Sequence, residues 1–303
     1  MGVLAGEGRV VVQGVTGREA RMVVSHMLSY GTAVQAGVTP GKRGETVEGV
    51  PVFDTIEQAA EATGVRFDVA IAYVPPLAAL DAAAEAIAAG VRLLLVPTEN
   101  IPLHDALRLL DLARQREVTV VGPNSVGLIS PSDRVKLGAI GGDSPERAFV
   151  PGRVGVMSRS GGLTAEVGLQ LRRAGLGVST AVSIGGDAMI GTTPAALYRR
   201  FADDPETDAV VYVGEPGTLL EEELAAELVR LGGNTPVIAV IPGDFLEDFP
   251  LGTAFGHAGA VIESRFGSPR DKRRALAAAG ARVAECFDDL IPLVLEQTTL
   301  EVR

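Results

Sequence analysis

Phe255-Gly256-His257-Ala258-Gly259-Ala260-Val261 sets one of the chain's three histidines among small residues. An imidazole so flanked is sterically open, and the neighbouring glycines permit a mobile loop. No second histidine or carboxylate stands at ligand spacing from His257, so the pattern predicts no metal site. His26 falls inside a helical pattern and His104 near a helix start, and both read as structural.

Two glycine turns have the composition of anion cradles. Gln13-Gly14-Val15-Thr16-Gly17-Arg18-Glu19-Ala20 ends an apolar run and opens a helical one, and so does Met157-Ser158-Arg159-Ser160-Gly161-Gly162-Leu163. Glycine lets backbone approach a phosphate, and a helix start offers unpaired N–H groups at the positive end of a dipole. Each also reads as a plain element: a tight βα turn for the first, an ordinary N-cap for the second. A dinucleotide fold expects an acidic residue about 20 positions on. Here the second strand ends Gln35-Ala36-Gly37-Val38-Thr39, which disfavours NAD. The next loop, Thr39-Pro40-Gly41-Lys42-Arg43-Gly44, carries the first of three lysines but no hydroxyl residue after it, so it is not a P-loop. It is either a solvated basic turn or a source of cations for a phosphate held on the first glycine turn. Glu221, Glu222 and Glu223, beyond Gly214-Glu215-Pro216-Gly217, read as a solvated helix start favoured by the dipole.

These residues must be positioned by two α/β halves. Short Val/Ile runs over 9–12, 32–38, 69–74, 92–96 and 118–121 alternate with helical patterns over 19–29, 55–62, 77–89 and 103–116. The rhythm resumes with strands over 154–157, 178–183, 209–213, 237–241 and 282–284, and helices over 163–174, 194–203, 219–231, 269–279 and 288–295. Continuous rather than alternating apolar strands indicate parallel sheets covered on both faces. A polar crossover over 130–152 divides the chain into domains over 1–129 and 130–303. The length of 303 residues, at about 150 per domain, agrees.

Composition narrows the function. The net charge of −11 works against a phosphate-backbone partner, so nucleic acid is not expected. No apolar stretch approaches the roughly 20 residues of a membrane helix, and the first residues do not have a leader's pattern. A single cysteine makes no intramolecular disulfide, which fits a reduced, cytoplasmic protein with Cys286 in its core.

Taken in order, eight motifs resemble the α subunit of succinyl-CoA synthetase, the nucleotide-forming succinate-CoA ligase. They are Gln13-Gly14-Val15-Thr16-Gly17, Gly37-Val38-Thr39-Pro40-Gly41-Lys42, Gly49-Val50-Pro51-Val52-Phe53, Gly122-Pro123-Asn124, Ser158-Arg159-Ser160-Gly161, Ile184-Gly185-Gly186-Asp187, Gly214-Glu215 and Gly256-His257-Ala258-Gly259-Ala260. The resemblance runs from Gln13 to about Leu295. It implies a CoA-binding Rossmann-like domain followed by a flavodoxin-like ligase domain, both open parallel sheets. His257 would be the phosphorylated histidine and Glu215 the residue that orients it. Coenzyme A would contact Thr16, Gly17, Arg18, Glu19, Lys42, Pro97, Thr98 and Glu99. Phosphate would sit at Ser160, Gly161 and Gly162, and the acid pocket would include Ala165 and Asn124. An ATP-grasp β subunit, in a heterodimer or heterotetramer, would bind ATP or GTP with Mg. The implied reaction is a relay in which phosphate passes from nucleotide to His257 and then to a small carboxylic acid, after which the CoA thiol attacks the acyl phosphate.

Departures from the family pattern point to a specialised paralogue. Gly162 and Ala165 stand where the family commonly has Thr and Tyr, which enlarges the acid pocket and suggests a bulkier or differently substituted acid. The acidic 246–255 segment replaces a basic Pro-Lys-Gly-Lys-Arg stretch, reversing the local charge. Other readings keep the acyl phosphate but use a malate- or citrate-like acid or an amine acceptor, or make the chain a non-catalytic CoA-binding module.

Overall fold

The computed structural model describes residues 8–250, 252–253, 257, 259–262 and 267–297. Positions 1–7 and, beside His257, 254–256 and 258 lie outside the described residues, so the leader reading and the Gly256 side of the glycine-bordered loop do too. The chain forms two compact units, 1–145 with 189–191, and 146–188 with 192–303.

In the first unit, β1 (Val10–Gln13), β2 (Val34–Val38), β3 (Thr46–Val47), β4 (Val50–Phe53), β5 (Val69–Ala72), β6 (Leu93–Leu95) and β7 (Thr119–Val121) form a sheet. The order is β3-β4-β2-β1-β5-β6-β7, and every pairing but β3–β4 is parallel. Helices α1 (Arg18–Tyr30), α2 (Ile56–Thr63), α3 (Ala79–Ala88) and α4 (Leu103–Gln115) connect the strands. Strands β1 and β5 are buried at every position, as expected of a sheet with helices on both faces. Strand order reverses between β1 and β5, and open α/β sheets bind ligands beyond the carboxyl ends of strands at such a point. An antiparallel hairpin, β8 (Gly127–Ser130) and β9 (Val135–Leu137), follows.

In the second unit, β10 (Pro151–Ser158), β11 (Val178–Ser183), β12 (Ala209–Val213), β13 (Val237–Val240) and β14 (Arg282–Ala284) lie parallel in the order β14-β13-β12-β10-β11. They alternate with α5 (Gly161–Arg173), α6 (Pro194–Ala202), α7 (Leu220–Leu231), α8 (Pro269–Ala278) and α9 (Leu290–Gln297). The reversal falls between β10 and β12. Thr55, Ser160, Thr193 and Ser268 cap α2, α5, α6 and α8, each side chain accepting a backbone N–H three residues on. Helix α1 differs, because its N-cap is Gly17 and no side chain closes it.

Two expectations are corrected. Cys286 is exposed rather than in the core, because it is the N-cap of a short 3₁₀ turn and its N–H is held by Asp289. The glutamates at the start of α7 are not a uniformly solvated turn. Glu221 is fully buried, with a buried lysine from α8 as its partner.

Candidate active site

The first candidate region lies at the β1/β5 reversal. Gly14, at φ +70°, is forced by packing: a Cβ there would stand 2.0 Å from Tyr73 O at the end of β5. Gly37 clears Val15 in the same way, since a Cβ would meet its side chain at 2.3 Å. With those contacts made, the turn leaves the first N–H groups of α1 uncapped toward a cleft of about 670 Å³. Gly17, Arg18, Glu19, Pro97, Thr98, Glu99 and Asn124 line it together. Thr98 Oγ1 lies 3.2 Å from Ala72 O and 2.8 Å from Val74 O, and its own carbonyl accepts the Asn124 N–H at 3.0 Å, so it ties three strand ends into one wall. Thr16 is not in that wall; its hydroxyl lies 3.3 Å from Thr39 Oγ1 on the next loop. Lys42 is half-exposed outside the lining, with its ammonium 3.0 Å from Glu45 Oε1.

Tyr73 lines the cleft as well; it opens Tyr73-Val74-Pro75-Pro76 at the carboxyl edge of the sheet, where ligands bind, but stands in none of the eight family motifs. Its hydroxyl is buried with no hydrogen-bond partner among the described residues. Burial, and then the charge of Glu19, raises its pKa, so it stays protonated as a donor.

The second candidate region lies at the β10/β12 reversal. Arg159 follows β10, Glu215 follows β12, and His257 comes from the later loop. Glu215 Oε2 is 2.6 Å from His257 Nδ1, while Glu215 Oε1 accepts Arg159 Nε at 2.8 Å and Nη2 at 2.6 Å. Arg159 Nη2 also donates to Asp187 O at 2.8 Å. Side-chain exposure is 1% for Arg159, 8% for Glu215 and 32% for His257, so a buried ion pair carries a partly accessible imidazole. The Glu215 hydrogen bond is the main reason the His257 pKa is raised; burial opposes it, the Glu215 charge adds to it, and the Arg159 charge opposes it.

Glycines shape this site too. A Cβ on Gly186 would stand 2.5 Å from His257 Cδ2 and 2.8 Å from Nε2, so the ring lies directly on backbone. A Cβ on Gly259 would meet Arg159 Nη2 at 2.8 Å. Ser160 caps α5, and a Cβ at Gly162 would meet nothing within 4 Å, leaving open ground at that helix start. Ala165, one turn on, is half-buried. Ala165 is in the second unit and Asn124 in the first. Arg159 and Gly186 stand inside quoted motifs, but their roles become visible only through contacts distant in sequence. His26, within α1, and the exposed His104, within α4, are not among the residues lining the first cleft.

Among the described residues no cluster of three or more metal-ligating side chains occurs, and no helix is long and apolar enough to cross a membrane.

Residues 6–100 match the family described as CoA binding domain, and residues 157–282 match the one described as CoA-ligase. The chain is 43% identical over 288 residues to α subunit 2 of the ADP-forming succinate-CoA ligase of Archaeoglobus fulgidus, spanning 95% of this chain and 96% of that one. It is 39% identical over 282 residues to a subunit of an ADP-forming sulfoacetate-CoA ligase from an Acholeplasma species, spanning 92% of each. A variant of Methanosaeta concilii ATP citrate lyase, solved with (3S)-citryl-CoA, has the same fold, with a TM-score of 0.86 and 24% identity over 97% of this chain and 50% of that one. The chain thus spans about half the length of that solved protein.

Proposed function

We propose that this chain, which belongs to the family of α subunits of ADP-forming CoA ligases, converts a small carboxylic acid to its CoA thioester through a phosphorylated His257. The observation that carries the reading is the 2.6 Å contact of His257 Nδ1 with Glu215 Oε2. A proton held on Nδ1 leaves the lone pair on Nε2, the nitrogen that must attack.

In this mechanism His257 Nε2 attacks the γ-phosphorus of a nucleoside triphosphate. The bond to the β-phosphate oxygen breaks, its electron pair leaves with the nucleoside diphosphate, and an N–P bond forms. Glu215 offsets the positive charge that develops on the ring. A carboxylate oxygen of the acid then displaces the phosphoryl group from Nε2, giving an acyl phosphate and returning the lone pair. The N–H groups at Gly161 and Gly162, at the start of α5, suit the phosphoryl oxygens. Coenzyme A, when bound, supplies the thiol that replaces phosphate on the acyl carbon. The uncapped N–H groups of α1 above Gly17, and the unpartnered Tyr73 hydroxyl, fit its diphosphate, with Arg18, Pro97, Thr98 and Glu99 around it. Lys42 reaches that ligand by exchanging its Glu45 partner for a phosphate.

The nucleotide and its Mg belong, in this reading, to an ATP-grasp β subunit, and the relatives' designation as α subunits supports a partner. The relatives act on succinate and, in one case, sulfoacetate as CoA ligases; they support CoA as the acceptor and give no support to the amine-acceptor or non-catalytic readings. The deciding experiment is phosphate transfer from γ-labelled ATP and GTP to this chain assembled with a β-type partner, beside His257→Asn. Acid-labile label on the unsubstituted chain alone is the expected result. Equal label on His257→Asn, or none on either in a folded, nucleotide-binding complex, refutes the relay.

A further inference from the structure

Beneath Glu215 lies a charge cluster that takes no part in the proposed bond changes. Glu221 and Lys272 are both fully buried, and Glu221 Oε2 meets Lys272 Nζ at 2.5 Å. Glu221 Oε1 accepts the Tyr212 hydroxyl at 2.6 Å and the backbone N–H of Glu215 at 3.2 Å. Lys272 Nζ donates further to Thr218 O and to Glu222 Oε2, both at 3.1 Å, which accounts for its three protons. Gly214 packs so tightly that a Cβ would stand 2.5 Å from Glu221 Oε1. Helices α7 and α8 therefore hold the segment after β12 at both the 215 amide and the 218 carbonyl.

Stability is a poor explanation for such a pair. Burying two charges costs desolvation, and replacing a buried ion pair with apolar residues of similar size is often neutral or stabilising. The pair does supply direction: it fixes the main chain from which one carboxylate must reach both Arg159 and His257. We propose that Tyr212, Glu221 and Lys272 are positioning residues that set, through the Glu215 backbone, the distance between the Glu215 carboxylate and the His257 ring. The inference rests on the relay read above for its kinetic consequence, but its structural consequence stands apart from it. The charged groups facing His257 are Glu215, Arg159 and Asp187, and Glu215 is the main source of its raised pKa. Loosening Glu215 therefore lowers that pKa.

The test uses the full chain assembled with its β-type partner. Two variants are compared: the apolar triple Tyr212→Phe/Glu221→Leu/Lys272→Leu, and the isosteric Glu221→Gln, which keeps packing and an acceptor oxygen. Histidine titration is followed by NMR with the isotope label confined to this chain, and His257→Asn assigns the signal among its three histidines. Single-turnover phosphorylation and the nucleotide KM are measured alongside. The expected result for the triple is a His257 pKa lower by about half a unit or more, phosphorylation slowed about tenfold, and KM unchanged. Glu221→Gln gives a smaller change in the same direction. Wild-type titration and wild-type rate in whichever variant folds overturn the inference. If the unsubstituted assembly takes no label on His257, the relay fails instead, and the titration alone decides whether this cluster positions Glu215.

Discussion

The two strand-order reversals are built from the same parts and made into opposite environments. Each sets a glycine turn after the central strand, a helix start beside it, and a neighbouring strand end across the crevice. At β1/β5 the glycines bring backbone together, α1 is left uncapped, and the space stays an open cleft. At β10/β12 the crevice is filled by Arg159, Glu215 and His257, with Glu221 and Lys272 below. Under the proposed function, the difference follows from what each would hold. An anion that arrives and leaves needs N–H groups and room, whereas a proton kept on one ring nitrogen needs a charge fixed to a fraction of an ångström.

The filled crevice depends most on Glu215, which joins Arg159 to His257. Glu215→Gln leaves the buried Arg159 without a carboxylate, a loss on the order of 3 kcal/mol measured by thermal or denaturant unfolding. It also removes the main cause of the raised His257 pKa. In the proposed relay attack needs the neutral ring, so the acidic limb of phosphorylation against pH is expected above the ordinary 6.5 in the unsubstituted chain and at lower pH in the variant. Protonated His257 is stabilised by folding, so that share of stability is present below the unfolded pKa and lost as pH rises through the folded one. An unshifted limb would show that Glu215 does not control the ring.

Gly186→Ala is the next largest effect. Gly186 does not have a left-handed φ, so alanine is tolerated by the backbone, and the whole effect is the added methyl meeting the ring. Phosphorylation is expected to fall about 100-fold in single-turnover measurements, with the melting temperature nearly unchanged because the partly exposed ring swings outward. At the other reversal, Thr98→Val removes the hydroxyl that ties the wall of the cleft to Ala72 and Val74. A stability loss of about 1 kcal/mol and a several-fold weaker CoA affinity by calorimetry are expected, with no change in His257 phosphorylation from nucleotide. A parallel loss of phosphorylation would contradict the division of roles between the two reversals.

The smallest structural effect is at the start of α5. Gly162→Thr with Ala165→Tyr adds one side chain where a Cβ at 162 has no neighbour within 4 Å and another at the half-buried Ala165, so a stability loss of at most about 1 kcal/mol is expected. The ranking of kcat/KM across a panel of carboxylic acids should shift toward succinate. If the unsubstituted assembly already ranks succinate first, the enlarged-pocket reading is wrong.

How much of this was legible in advance depends on whether the cause was local. The apolar strands and the helices between them were readable, because hydrophobic period and capping residues act over a few positions. The β3–β4 hairpin was not. Its turn is Glu48-Gly49 with both φ values positive, at 51° and 81°, and glutamate does not carry the usual asparagine or aspartate signal for that turn. The β8–β9 hairpin straddles the start of the polar crossover, where Pro131-Ser132-Asp133 marks a turn but the flanking strands, four and three residues long, are too short to show a hydrophobic period. Cys286 was misread because its type suggests burial, while its position, capping a surface turn, decides otherwise.

The sequence by itself determined two α/β halves and the glycine turns at the ends of their central strands, and its resemblance to the α-subunit family pointed to His257 with Glu215. Only the tertiary structure decided how that pair is held. Arg159 and Glu215 are 56 positions apart and Lys272 and Glu221 are 51 apart, and they meet because strand order sets β10 beside β12 and packs α8 against α7. A charge's partner across such a separation leaves no local periodicity to read, so Glu221 looked solvated until the fold supplied its lysine.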